Sequence, residues 1–255
     1  MPRLVPFRLA VACALALISM LLLVGSAVAK GPVAGLRVVG KGGKVLDEDS
    51  FGVAGQVSIK PSPKATCFGP GTGGSGKKMT LKGNSALGML VRAAQFTASL
   101  KPVLVTDHFV DEFGLGICSV GGIKATSKNS WFLKLNHKTQ VVGGESVKVH
   151  GGDEVLWAYG GYPYPDELVL SAPSEAQANV PFTVQVSAYD EKGKRKPVSG
   201  AAVTGASAPT GTDGRTSVTL SAATELIATA KGDIPSPPWV VCLGSGCSAP
   251  AGVQF

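Results

Sequence analysis

Apolar and polar residues alternate across residues 130–161, and the repeat is two residues long. The apolar positions of this stretch are Trp131, Leu133, Leu135, Val147, Val149, Val155, Trp157 and Tyr159. Because neighbouring side chains of a strand point to opposite faces, this spacing predicts two or three antiparallel strands that carry aromatic side chains. Breaks at 136–138, 142–144 and 151–153 contain the Asn and Gly residues that are typical of turns.

A different period marks residues 85–98, where apolar side chains recur every three or four positions and predict a helix. The stripe consists of Leu87, Leu90, Val91, Ala94 and Ala98. Asn84 or Ser85 can cap the start of this helix. Strands are predicted before it at 33–45 and 52–59. One amphipathic helix among strands implies a sheet that its apolar face covers.

Residues 162–165, Tyr-Pro-Tyr-Pro, form a stiff connector after which the pattern changes. Short segments separated by turn residues are predicted as strands at 167–171, 182–189, 201–205, 216–220, 226–230 and 239–243. This spacing predicts a small all-β, immunoglobulin-like sandwich over 166–243, followed by a loose tail at 244–255. The expected fold class is therefore α+β, with a one-helix domain at 30–165 that precedes the sandwich.

The first 29 residues have the pattern of a secretory signal peptide. Arg3 and Arg8 precede a long apolar run, which ends in the small residues of a cleavage site before Lys30. An uncleaved membrane anchor is the alternative, because residues 9–29 are long enough to cross a bilayer. The chain is expected to be secreted or held at the cell surface, with membrane contact only through this segment if it is not cleaved.

The cysteines add disulfides to this picture. Of the five, Cys13 would leave with the signal peptide, and an even number in an exported chain predicts disulfide bonds. Four cysteines allow three pairings. Cys242 and Cys247 flank a short flexible loop that can close on itself, which leaves Cys67 to pair with Cys118.

Positive charge is concentrated at residues 50–106, which contain no Asp or Glu. Candidate contacts for an anionic partner in this stretch are Lys60, Lys64, Lys77, Lys78 and Lys82. The alternative is a set of solvated loop lysines. Nucleic acid is not expected as a partner, because no recognisable motif interleaves aromatic and basic residues.

No pattern predicts catalysis or metal binding. The Gly-rich loop at 67–82 fails as a phosphate-binding loop, because Lys78 stands where a hydroxyl would be needed to hold magnesium. Asp107, His108, Asp111 and Glu112 lack the spacings of known metal sites. No nucleophile and base can be placed together, so the chain is expected not to be an enzyme and to need no cofactor.

Four segments together resemble a known family. Residues 84–94 (NSALGMLVRAA), 130–136 (SWFLKLN), 141–144 (VVGG) and 151–159 (GGDEVLWAY) are similar to the transcobalamin-like carboxy-terminal domain of exported bacterial proteins. The resemblance covers roughly residues 33–165 and implies a β-grasp-like fold with one helix across the sheet. It also implies a Cys in the Gly-rich loop, which Cys67 matches, whereas Glu145 stands where some relatives have a second Cys. The later segment GTDGRTSVTL resembles a bacterial immunoglobulin-like module.

Vitamin-binding relatives hold cobalamin between this domain and a helical barrel, which this chain lacks. The ligand-binding candidates that the resemblance implies are Trp131, Asn136, Trp157 and Tyr159. Their alternative role is packing, because aromatic side chains at period two often form cross-strand pairs. We expect an exported, non-catalytic binding or adhesion module that recognises an extracellular ligand or a cell-surface polymer. The alternative is a cobalamin-like small-ligand carrier that works with a separate partner protein.

Overall fold

The structure is a computed structural model that describes residues 32–244. The predicted signal peptide at 1–29 and its uncleaved alternative lie outside these residues, as does all but the first residue of the predicted tail. Within the described part of the chain, no helix combines the length and the apolar character needed to cross a membrane.

The first half of the described chain forms three sheets and two α-helices. Its elements are β1 (Val33–Val39), β2 (Val45–Gly52), β3 (Gln56–Ile59), β4 (Met79–Lys82), α1 (Ala86–Phe96), β5 (Leu104–Thr106), α2 (Val110–Phe113), β6 (Gly116–Val120), β7 (Ile123–Lys124), β8 (Ser130–Leu135), β9 (Lys138–Gln140) and β10 (Glu154–Gly160). Short 3₁₀ helices lie at Lys41–Gly43 and Ala98–Leu100.

A five-stranded sheet, called here the central sheet, has the order β2-β1-β10-β8-β9. β1 and β10 are parallel, and the other neighbours are antiparallel. Helix α1 begins after Ser85, whose hydroxyl accepts a hydrogen bond from the Gly88 N–H at 3.1 Å. Its buried stripe, which includes Leu87 and Leu90, packs with side chains of the central sheet in the first core. The strands predicted from the Trp131 and Trp157 patterns and the helix predicted at 85–98 are therefore confirmed.

The second half contains only strands and connecting segments among its described residues. They are β11 (Glu167–Ser171), β12 (Glu175–Ala176), β13 (Phe182–Tyr189), β14 (Arg195–Pro197), β15 (Ala202–Val203), β16 (Arg215–Val218), β17 (Thr224–Leu226), β18 (Ala228–Thr229) and β19 (Trp239–Leu243). They pair as β11-β13-β14 with β16 on β13, as β12-β19-β17, and as β15-β18. Their apolar side chains form a second core, which includes Leu168, Val186 and Val241.

The predicted fold class, an α+β β-grasp-like domain before a small all-β sandwich, is wrong. Residues 32–244 are 41% strand and 10% helix, and their strands are divided among six sheets. The helical stripe of α1 indicated an α+β class, but this helix has only 11 residues. Strands of two or three residues, such as β5, β7 and β9, are too short to show a period of two and were missed.

The central sheet is buried on both faces. One face carries Leu36, Val38 and Trp157 into the first core, beneath α1. The opposite face carries Phe132 and Ala158, together with Val39 and Leu156, which pack against Ile234 from the second half of the chain. The sheet therefore lies between the first core and a smaller apolar cluster that includes Ile234 from the second half of the chain.

Two buried cations cross from this second face to the second half of the chain. Arg37 donates to the carbonyl oxygens of Pro235 and Ser236 at 2.8 and 3.0 Å. Lys134, which is fully buried, donates from Nζ to the Tyr189 carbonyl oxygen at 3.0 Å. Because buried cations need partners at fixed positions, these bonds set how the two cores meet.

Candidate functional site

A groove of about 830 Å³ opens in the first half of the molecule. Its walls are formed by residues 66–69, 113–117, 125–127, 130–133 and 140–144. Its volume lies within the range of roughly 300–1,000 Å³ that is usual for ligand sites. Loops that are distant in sequence therefore meet at the start of β8 and enclose one concave surface.

None of the 25 described residues that line the groove has a charged side chain. Besides the hydroxyl of Tyr164, its polar side chains are those of Thr66, Thr106, Thr126, Ser127, Ser130 and Gln140. Hydroxyl and amide groups can hydrogen-bond a neutral ligand, whereas neither an anion nor a cation would find an opposite charge among these residues.

The rim of the groove exposes large apolar side chains to solvent. Phe68 is 56% exposed, Phe113 is 73% exposed, Val141 is 94% exposed and Val142 is 54% exposed. Phe68 meets Phe109 edge to face, with ring centroids 5.7 Å apart. Clustered exposed apolar groups around a concavity are typical of interaction sites, because covering them removes apolar surface from water.

The disulfide Cys67–Cys118 fixes one wall of the groove. It joins the Gly-rich loop to β6, with the two Cα atoms 5.2 Å apart and a sequence separation of 51 residues. This pairing confirms the prediction. In the chain-entropy description a closed loop of this length stabilises the folded state by about 4 kcal/mol. Cys247 lies outside the described residues, so its pairing with Cys242 stays a prediction.

The predicted ligand-binding residues have two different locations. Trp131 and Trp157 line the groove but are almost fully buried, and their Nε1 atoms donate to Ile123 and Ala86 carbonyl oxygens at 3.0 and 3.3 Å. They form the inner side of the groove and part of the first core.

Tyr159 and Asn136 are not among the residues that line the groove. The Tyr159 hydroxyl donates to the Lys124 carbonyl oxygen at 3.0 Å. Asn136 occupies a turn with a φ of 49°, where its amide bonds Asp153 and its Oδ1 accepts from the Glu154 N–H, both at 2.9 Å. These contacts give both side chains structural partners.

All five candidate lysines are exposed, and three of them share one surface. In the β3–β4 hairpin, Gln56 pairs with Lys82 and Ile59 with Met79, so strand alternation places Lys60, Lys78 and Lys82 on the solvent side. Lys60 and Lys78 also line a shallow cleft of about 430 Å³. Lys64 and Lys77 lie in the connecting loop between the two strands.

Residues 107–112 bring no metal site together. Asp107 accepts hydrogen bonds from the Ser75 N–H at 2.7 Å and from the Ser75 hydroxyl at 2.5 Å, which tie the Gly-rich loop to the segment after β5. Within residues 32–244, no three His, Cys, Asp or Glu side chains are grouped so that they could hold a metal ion.

A cluster of charged side chains that the sequence patterns did not indicate lies where the two cores meet. His137 is 3.0 Å from Glu167 through Nδ1 and 3.3 Å from Glu154 through Nε2, and its ring stacks on Tyr189 at 3.9 Å. Lys134 Nζ is 3.7 Å from Glu167. Burial lowers the pKa of Lys134, against the opposing effect of Glu167, and burial raises the pKa of Glu154. Lys134 and His137 from the first half of the chain both contact Glu167 from the second half, so this cluster connects the two halves.

The exposed groove residues Phe68, Phe113, Val141 and Val142 were missed in the sequence. One signal was present: adjacent Val141 and Val142 cannot both face inward if they belong to one alternating strand. The two glycines that follow them, Gly143 and Gly144, are instead typical of an ordinary turn. Phe68 and Phe113 lie in short segments that have no recognisable period.

Comparisons with family models, with curated proteins and with solved structures found no match for this chain. The resemblance of residues 33–165 to the transcobalamin-like domain family therefore stays a prediction. The candidate site rests on its own geometry, namely an uncharged groove with an exposed aromatic and aliphatic rim.

Proposed function

We propose that this chain is an exported, non-catalytic binding protein that holds an uncharged extracellular ligand in the groove. The observation that carries the proposal is the combination of an uncharged lining and an exposed rim that includes Phe68 and Phe113. A ligand that covers these rings gains roughly 25 cal/mol for each Å² of apolar surface removed from water.

Two observations support export. The Cys67–Cys118 disulfide belongs to a class of bond that persists mainly outside the reducing cytosol. Residues 1–29 carry the predicted signal peptide. The absence of charge among the described lining residues supports binding rather than acid-base catalysis, because general acids and bases need ionisable side chains near the substrate.

The test uses the exported protein and Nile red, an uncharged apolar dye, as the probe. Phe113→Ser and Val142→Asp should each weaken dye binding about tenfold, because one removes apolar surface and the other places a charge in the groove. Phe96→Ser and Val180→Asp are matched controls, since both side chains are exposed, at 78% and 46%, but lie outside the groove lining. These controls should leave binding unchanged.

Equal loss of dye binding in the groove variants and their controls would contradict the proposal, as would dye fluorescence no greater than that of a denatured sample. Cobalamin, titrated calorimetrically against the same set, tests the carrier alternative. Heat that disappears in Val142→Asp but persists in Val180→Asp would favour that alternative.

The lysine surface supports a second function, adhesion to an anionic polymer. Lys60, Lys78 and Lys82 occupy the solvent side of one hairpin within a stretch that contains no acidic residue. Retention on dextran sulfate, compared with neutral dextran, should fall when all three are changed to Gln. The charge-matched control changes the exposed Lys192, Lys194 and Lys231 to Gln. An equal fall in the control would show that net charge alone determines retention.

A further inference from the structure

One residue of β8, Trp131, has no main-chain partner on the side that borders the groove. The flanking Leu133 pairs with Gln140, and the main chain of Asn129 is bonded by Thr126. The Asn136 N–H donates to the Glu154 carbonyl oxygen at 2.9 Å, which fixes the alternation of hydrogen bonds between β8 and β10. In an antiparallel ladder, successive residues direct their N–H and C=O groups to opposite sides. The main-chain groups of Phe132 and Lys134 therefore face β10, whereas those of Trp131 and Leu133 face the side occupied by β9.

On that second side, β9 is too short to reach Trp131. Leu133 pairs with Gln140, and β9 ends there. The next position that would pair with Trp131 is Val142, which lies outside any strand and on the rim of the groove. Among residues 32–244, no turn, loop or side-chain hydrogen bond reaches the main-chain N–H or C=O of Trp131.

From this geometry we propose that the ligand is an extended, uncharged peptide segment, one residue of which pairs with the main chain of Trp131 on β8. The inference rests on the proposed function, because it names the ligand class for the same groove. Main-chain pairing at an exposed edge is a common mode of peptide recognition, with alternate side chains filling adjacent pockets.

The groove lining favours such a segment over a charged one. Its walls supply apolar contacts from Phe68, Phe113 and Val142, and neutral hydrogen-bonding groups from Ser130 and Gln140. A lysine or aspartate in the bound segment would lose its hydration on binding. No side chain of opposite charge among the described lining residues would offset that loss. The charge pattern of the groove and the unpaired main chain of Trp131 therefore indicate the same class of ligand.

The experiment begins with selection of random octapeptides without charged residues against the full-length exported protein. A retained sequence is synthesised with capped ends, and each of its residues is N-methylated in turn. Methylation removes one N–H donor, so we expect about a tenfold loss of affinity at the single residue that pairs with Trp131 and little loss at the other positions. The unmethylated peptide should also slow hydrogen exchange of the Trp131 amide about tenfold.

Three results contradict the inference. They are recovery of no peptide while Nile red still binds the groove, affinity that does not respond to N-methylation, and unchanged exchange at Trp131. Each of these leaves the proposed function intact as long as the dye distinguishes Phe113→Ser from Phe96→Ser. Loss of both dye and peptide binding would contradict the two proposals together.

Discussion

The two faces of the central sheet are both buried, but they are covered in different ways. Beneath α1, contacts are made by apolar side chains such as Leu36 and Leu90. Against the second half of the chain, Arg37 and Lys134 lie among apolar neighbours and donate to main-chain carbonyl oxygens. The first face can tolerate small shifts of its partner, whereas the second requires donors and acceptors at fixed positions.

The two faces therefore differ in what they contribute: one mainly stabilises the fold, and the other mainly fixes how the two halves of the chain are oriented. Apolar burial contributes favourable free energy in proportion to area and has little directional preference. A buried cation must first lose its hydration, and its partners offset this cost only when the geometry is good. We therefore interpret the helix-covered face as the main source of stability, and the charged face as the feature that fixes how the two cores meet.

The largest effect is expected on the helix-covered face. Leu90→Ala should lower the free energy of unfolding by about 4 kcal/mol, because the fully buried side chain would leave a cavity beneath α1. Urea denaturation measures this loss. Val33→Ala, at a position 41% exposed, is the control and should have only a small effect. A loss below about 1 kcal/mol in Leu90→Ala would show that this face is not the main source of stability.

On the charged face, Lys134→Ala should lower the free energy of unfolding by about 3 kcal/mol. The change removes a partner of the buried Glu167 and leaves the Tyr189 carbonyl oxygen unpaired. Lys134→Met, which keeps the length of the side chain, should cost less. Urea unfolding of both variants gives the comparison. If Lys134→Met lowers the free energy of unfolding as much as Lys134→Ala does, then the volume of the side chain does not matter at this site and its charge stabilises the fold.

Arg37→Lys tests whether hydrogen-bond geometry, and not charge alone, orients the second half of the chain on the central sheet. It should lower the free energy of unfolding by about 2 kcal/mol. The guanidinium bonds two carbonyl oxygens, those of Pro235 and Ser236, whereas a single ammonium cannot reproduce that fork. The variant keeps the charge, so a loss of stability reports geometry. Equal stability of Arg37→Lys and the unchanged protein would contradict an orienting role.

The smallest effect concerns pH. Burial raises the pKa of Glu154, which faces His137 and Glu167, above its ordinary value. The folded protein therefore binds this proton more tightly than the unfolded chain, and the associated stability is complete below the ordinary pKa and lost as pH rises through the folded one.

The free energy of unfolding contributed by Glu154 should thus increase as the pH falls from 7 towards 5. Glu154→Gln should have a flatter dependence over that window than the unchanged protein. Urea midpoints at pH 7, 6 and 5 provide the measurement. A steeper dependence in the variant would contradict the direction assigned to this carboxyl group.

The local elements that could be predicted are those whose pattern repeats. Helix α1 shows its stripe at Leu87 and Leu90, and β8 and β10 show alternation at Trp131 and Trp157. The covering of the second face was not predictable, because Arg37 and Lys134 on alternating strands normally indicate a face in water. Only tertiary contacts show that the second half of the chain lies there.

The groove was still harder to predict, since it depends on contacts between distant segments. Cys67 meets Cys118, and Phe68 meets Phe109, across loops whose local sequence fixes neither distance. Phe113 belongs to a helix of four residues, which is too short to show a period. The predicted fold class was wrong for a related reason, because many strands contain only two or three residues and show no recognisable period.

The bond between Cys67 and Cys118 has a consequence for when the wall of the groove takes its final form. Phe68 follows Cys67 directly, so its ring is covalently tethered to β6 only after the two thiols have been oxidised. In a thiol-rich compartment this tether would be absent, and Phe68 would be held by weaker contacts such as its edge-to-face contact with Phe109. If the chain is exported as proposed, the aromatic wall of the groove takes its tethered form only in an oxidising compartment.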